Sequence, residues 1–287
     1  MPASLRGAFL GLGAMALYCF YDVTIKFLGG AYSPLQILFC AGLVFVPLIL
    51  GHLVLTGQAR RMWPVAPRWT AVRVVAALLN GVIGAYAFAV LPLAQAYAVF
   101  FLMPLMIALL AVPVLGEPMD RARGFAILAG LGGVMIALQP GAAPLGLGHL
   151  AAFSAAALGA LNYVILRKTS GVESPGVLML YPAVAQLAVT GIAMLWLWVP
   201  MPPTHWALTT LMGVELMVGG LMIIAAYRIA PAIVVAPMQY SQIIWAALLG
   251  ALFFDEAMDA PMILGIAVII AAGQFLLWRT ARPATAG

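Results

Sequence analysis

Charge is what this sequence lacks most. Only 7% of its 287 residues are Asp, Glu, Lys or Arg, against roughly 25% in a soluble domain. A water-soluble globule needs polar groups to cover its surface, yet 66% of this chain is hydrophobic and its mean hydropathy is +1.13. That balance excludes a soluble enzyme, a nucleic-acid-binding module and a disordered chain. Cysteine is nearly absent too. Cys19 and Cys40 both lie inside apolar runs, so neither reads as half of a disulfide or as a metal ligand. The three histidines, His52, His149 and His205, stand far apart near the ends of apolar runs. They offer no metalloprotease pair, and no Gly-rich phosphate loop is present to bind ATP. Ser154 and His149 are five positions apart and do not face each other on a helix, so a membrane-embedded hydrolase ranks last among the readings. No metal and no cofactor are expected.

What is there is long apolar runs. A transmembrane helix needs about 20 mostly apolar residues, and Pro, Gly and charge clusters divide the chain into ten such spans: 5–28, 34–56, 69–91, 94–115, 122–139, 147–167, 176–199, 206–227, 232–253 and 260–278. The first is not a cleaved signal, because it runs on to Leu28, carries Asp22 and Lys26 and has no convincing small-residue cleavage site. Continuous apolar character favours helices over the alternating strands of a barrel. With the N-terminus inside, 12 of the 13 Lys and Arg residues fall on the inner side, as the positive-inside rule requires. The exception is Lys26.

The chain also repeats itself. Residues 91–120 align without gaps on 230–259, so that Pro92 meets Pro231, Glu117 meets Glu256, Met119 meets Met258 and Asp120 meets Asp259. Ser33-Pro34 matches Ser174-Pro175, and Lys26 matches Arg167, at a similar offset. Five spans per copy is an odd number, so the second copy enters the membrane from the opposite face. The expected fold is therefore an all-α integral membrane protein of ten helices, built as two inverted five-helix repeats, 1–140 and 141–287. Inverted repeats around a midplane site are a transporter architecture.

A Pro-containing fourth span that closes in LGEP (115–118) and a ninth that closes in FFDE (253–256) resemble the drug/metabolite transporter superfamily, closest to its EamA-domain exporters. The second copy, FFDEAMD, departs from the pattern by lacking the Gly-Glu-Pro triplet. The resemblance implies a central cavity lined by helices 1, 3, 4, 6, 8 and 9. It also implies export of small metabolites, amino acids prominent among them.

Polar groups inside hydrocarbon are costly, so each one needs a reason. Tyr18, Asp22 and Lys26 recur every four residues on one face of the first span. They form either a polar patch on the cavity or an ion pair that fixes packing. Glu215 stands alone in the middle of the eighth span, where it can bind an ammonium group, carry a coupling proton or hydrogen-bond a neighbouring helix. Asn80, Asn162, Tyr163, Gln239, Gln242 and Trp245, with Tyr97 and Phe101, supply amides and aromatics suited to an amphipathic solute. Amides also glue membrane helices together. Pro104 and Pro237 remove backbone hydrogen bonds and are candidate hinges. The spans 122–139 and 260–278, rich in small residues such as Gly130, Gly133, Gly265 and Gly273, read as close-packing scaffold.

These readings converge on a secondary transporter of a bacterial inner membrane, both termini cytoplasmic, exporting amino acids or similar small metabolites by alternating access. A multidrug or cationic-compound exporter, with Glu215 and Asp22 as the attraction, is the alternative. The expected partners are the small-molecule substrate and the bilayer, with no nucleic acid, and the expected state is a monomer or weak homodimer.

Overall fold

The computed structural model describes residues 3–57, 63–116, 121–139, 145–169, 172–230 and 235–280. They are mostly helical, with no strand among the described residues. The helices are α1 (Ala3–Gly29), α2 (Pro34–Leu55), α3 (Pro67–Val90), α4 (Leu93–Phe100), α5 (Met103–Leu115), α6 (Arg121–Leu138), α7 (Leu147–Thr169), α8 (Pro175–Leu197), α9 (Pro203–Ile229), α10 (Gln242–Phe254) and α11 (Ala260–Thr280). A 3-10 segment, Ala236–Ser241, leads into α10. Among the described residues, seven helices are long and apolar enough to cross a membrane. Three shorter apolar stretches, Gly124–Leu138, Met238–Phe254 and Ala260–Phe275, accompany them.

Local chemistry explains where these helices begin and end. Ser33 and Ser174 hold the same extended conformation before a Pro, and each side chain accepts a hydrogen bond from the amide three residues on, Gln36 and Val177. This is the Ser N-cap with Pro at the first helical position. Gly116 and Asp255 close α5 and α10 in the left-handed region, at φ 73° and 55°.

Two expected single spans are interrupted. The fourth is split into α4 and α5 by a turn at Phe101–Leu102. Pro104 has no N–H to give the Phe100 carbonyl, and its ring crowds that carbonyl, which ends α4 there. In the ninth, residues around Pro237 take the tighter 3-10 form before α10 begins.

The chain divides into two compact units. The first comprises Met1–Cys19, Pro92–Gly146 and Gly219–Gly287. In it α6 packs on α11 and α4 on α10. Gly133 and Gly265 let the α6 and α11 backbones touch: a Cβ on Gly265 would lie 2.4 Å from the Gly133 carbonyl oxygen. Ala226, Ala230 and Val235 form a small core with Leu10 and Ile223.

The second unit comprises Phe20–Leu91 and Leu147–Val218. Here α3 packs on α7 and α8, and α2 packs on α8. Val46, Ile49, Leu53 and Leu180 form its core, and Gln36 clamps the Val199 backbone by hydrogen bonds to both its N–H and its carbonyl. Each unit therefore draws on both halves of the sequence. Both cysteines are free and buried, with the Cys40 thiol 3.7 Å from the Met201 sulfur.

Candidate functional site

In the second unit, α1 carries Tyr21, Asp22 and Lys26 and α9 carries Glu215. Glu215 is buried at 6% exposure, and its Oε2 has no hydrogen-bond partner among the described residues. An unpartnered carboxylate oxygen in that setting is expensive. Asp22 is half-buried, and the Tyr21 hydroxyl lies within electrostatic reach of both Asp22 and Glu215. Sequence reading missed Tyr21, because nothing in its spacing distinguishes it from a core aromatic. Asn162 is half-buried, its Oδ1 without a hydrogen-bond partner among the described residues; Asn80 is half-buried, and Tyr163 is half-exposed.

Lys26 has a structural task. Its ammonium donates to the Leu91 carbonyl, the C-cap of α3, where a cation also complements the helix dipole. Asp22 and Lys26 both belong to the second unit. Tyr18 belongs to the first unit, its ring lying against Gly219, where a Cβ would come within 2.8 Å.

Arg73, counted from the sequence among the inner-side cations, is 7% exposed and lies within α3. Its guanidinium donates to the Leu178 carbonyl of α8 at 2.7 Å. Four residues after Leu178 stands Pro182, inside α8, which has no N–H to complete the helical hydrogen bond. Arg73 satisfies the carbonyl that Pro182 strands. Glu173 does comparable work at the start of α3, whose N-cap Ala66 has no capping side chain. Its carboxylate accepts from the Val65 and Ala66 amides at 3.0 and 2.7 Å and from the Thr70 hydroxyl at 3.2 Å.

In the first unit, Tyr97, Phe101 and Tyr240 form a buried aromatic stack, with ring centroids 5.9 Å apart for Tyr97–Phe101 and 5.4 Å for Phe101–Tyr240. The Tyr240 hydroxyl fits against Gly273 and has no hydrogen-bond partner among the described residues. Gln239 and Gln242 are half-buried, as is Trp245, whose buried indole N–H has no hydrogen-bond partner among the described residues. Pro104 sits in the first turn of α5, and Pro237 falls in the 3-10 segment.

A cavity of about 150 Å³ lies between α4 and the end of α10, lined by Pro92, Gln95, Ala246, Glu256, Met258 and Met262 among others. It is smaller than the roughly 300 Å³ at which ligand sites begin. Its carboxylate is engaged, since Glu256 accepts from the Leu93 amide at 2.8 Å. No group of three or more His, Cys, Asp or Glu is placed to hold a metal among the described residues.

Residues 5–139 match the model of the EamA-like transporter family. A riboflavin transporter of Rhizobium johnstonii is 31% identical over 206 residues, which cover 71% of this chain and 68% of that protein. This chain belongs to the EamA-like transporter family. It is a multi-pass membrane transporter of the drug/metabolite superfamily and not an enzyme. A riboflavin transporter of Vibrio cholerae is 28% identical over 215 residues, covering 74% of this chain and 72% of its own. A solved protein structure superposes over 96% of this chain and 99% of its own with a TM-score of 0.66. At 18% identity that likeness speaks to fold alone.

Within this EamA-family transporter, the sequence-predicted residues fall into two groups. Asp22, Lys26, Asn80, Asn162, Tyr163 and Glu215 belong to the second unit; Tyr18, Tyr97, Phe101, Gln239, Gln242 and Trp245 belong to the first. Arg73 was legible in principle. A lone Arg on one span and a Pro within another signal a stranded carbonyl in need of a donor.

Proposed function

We propose that this transporter carries riboflavin or a closely related heteroaromatic metabolite across the bacterial inner membrane. The observation that carries the reading is that two relatives aligned over more than two thirds of the chain are both named riboflavin transporters. The chemistry of the residues supports it. A flavin is a flat ring system with amide-like edges and an uncharged polyol chain. Gln239 and Gln242 offer amide donors and acceptors, Trp245 offers an indole face and an unpartnered N–H, and the Tyr97–Phe101–Tyr240 stack holds this segment rigid.

Export of amino acids or cationic compounds is the second reading. Glu215 favours it, because an ammonium group would satisfy the buried Oε2. In the leading reading Glu215 instead carries the coupling proton, with the Tyr21 hydroxyl within electrostatic reach of it.

The architecture we infer is ten crossings in two inverted repeats, both termini cytoplasmic, working by alternating access. The three shorter apolar stretches complete the count of crossings. Helix pairing supports the inversion, since α2 with α8, α4 with α10 and α6 with α11 each join corresponding members of the two halves. The matched caps at Ser33 and Ser174 support it as well. Pro104 and Pro237, at the interruptions of the corresponding fourth and ninth spans, are the hinges in this scheme.

Binding is tested by titrating riboflavin with the purified protein and following flavin fluorescence. Saturable quenching that Trp245→Leu weakens at least about tenfold is expected if the indole contacts the ring. No saturable quenching, with binding of a labelled amino acid instead, would favour the second reading.

A further inference from the structure

On α3, Arg68, Val72, Val75 and Leu79 follow at i, i+4, i+7 and i+11, so they share one helix face. All four are exposed, the three apolar ones at 45%, 54% and 41%. Trp69, next in sequence to Arg68, has the ammonium of Lys168, at the end of α7, 4.2 Å from the centre of its ring, a cation–π contact that fixes the charge at the surface. Trp63 stands 88% exposed just before α3, the placement of an indole in a headgroup layer. The acid at this end among the described residues, Glu173, is turned inward and taken up by two amides and a hydroxyl.

We infer that this α3–α7 end binds an anionic phospholipid. The phosphate lies on Arg68 and Lys168, the indoles of Trp63 and Trp69 sit at the glycerol level, and an acyl chain follows Val72, Val75 and Leu79. A zwitterionic lipid brings its own cation against this basic end and binds less well. The site is independent of the transported substrate.

Thermal unfolding of the purified full chain in detergent, followed by tryptophan fluorescence, tests this. Added phosphatidylglycerol is expected to raise Tm by about 4 °C or more above phosphatidylcholine. The Arg68→Gln/Lys168→Gln double variant should lose that difference, and Arg68→Lys should keep it. Soluble glycerol phosphate, which has no chain for the apolar stripe, should have no effect. Equal Tm in the two lipids, a difference that survives in the double variant, or an equal shift with glycerol phosphate would each overturn the inference. Should the double variant fail to fold, Arg68→Glu alone decides, since a retained preference for phosphatidylglycerol contradicts the site.

Discussion

Gly116 and Asp255, 139 positions apart, end α5 and α10 in the same left-handed conformation. The sequence had marked Asp255 as a departure from the Gly-Glu-Pro pattern. The backbone shows a substitution that keeps the geometry, because Asp is among the few residues with a side chain that visit this region readily. Asp255→Gly should therefore leave stability unchanged or raise it slightly, whereas Gly116→Ala and Asp255→Val should each cost about 1–2 kcal/mol. Thermal or denaturant unfolding of the three variants checks the ordering.

The α6–α11 contact is tighter still. A methyl on Gly265 meets the Gly133 carbonyl and the Ala137 amide, both at 2.4 Å, and backbone cannot move aside as a side chain can. Gly265→Ala should destabilise by about 1–3 kcal/mol through overpacking. Gly132, with open space around the position of its Cβ, is the control, and Gly132→Ala should be neutral or mildly stabilising in the same unfolding measurement.

Arg73 and Pro182 should be coupled. Arg73→Gln leaves the Leu178 carbonyl without its donor, a loss of about 1–3 kcal/mol. Pro182→Ala restores an N–H within α8 and removes that need. A double-mutant cycle should recover most of the loss in the combined variant. Strict additivity would show that the stability Arg73 contributes does not depend on Pro182.

Glu215→Gln keeps the shape of the side chain and removes its charge. In proteoliposomes it should abolish accumulation driven by a pH gradient while leaving substrate exchange at zero gradient within about threefold of wild type. Retained gradient-driven accumulation would remove Glu215 as the proton carrier.

The helices were legible because each is a long apolar run punctuated by Pro, Gly or charge, and their ends follow short-range rules such as the Ser33 and Ser174 caps. The break at Phe101–Leu102 was less legible. Pro104 announces a disturbance, but whether a helix bends or ends depends on packing that its own sequence does not contain. Which backbone groups Lys26, Arg73 and Glu173 would serve lay out of reach for a similar reason. Each serves a backbone group 65 to 108 residues away, a distance that local pattern does not encode. The interleaving of the two halves in each compact unit likewise arises from contacts between distant segments.

The central claim is the cargo. Liposomes containing the purified protein and preloaded with unlabelled riboflavin should take up labelled riboflavin by saturable counterflow, and Lys26→Met should leave its KM within about twofold. Labelled amino acids should show no counterflow. Amino-acid counterflow without riboflavin counterflow would contradict the account.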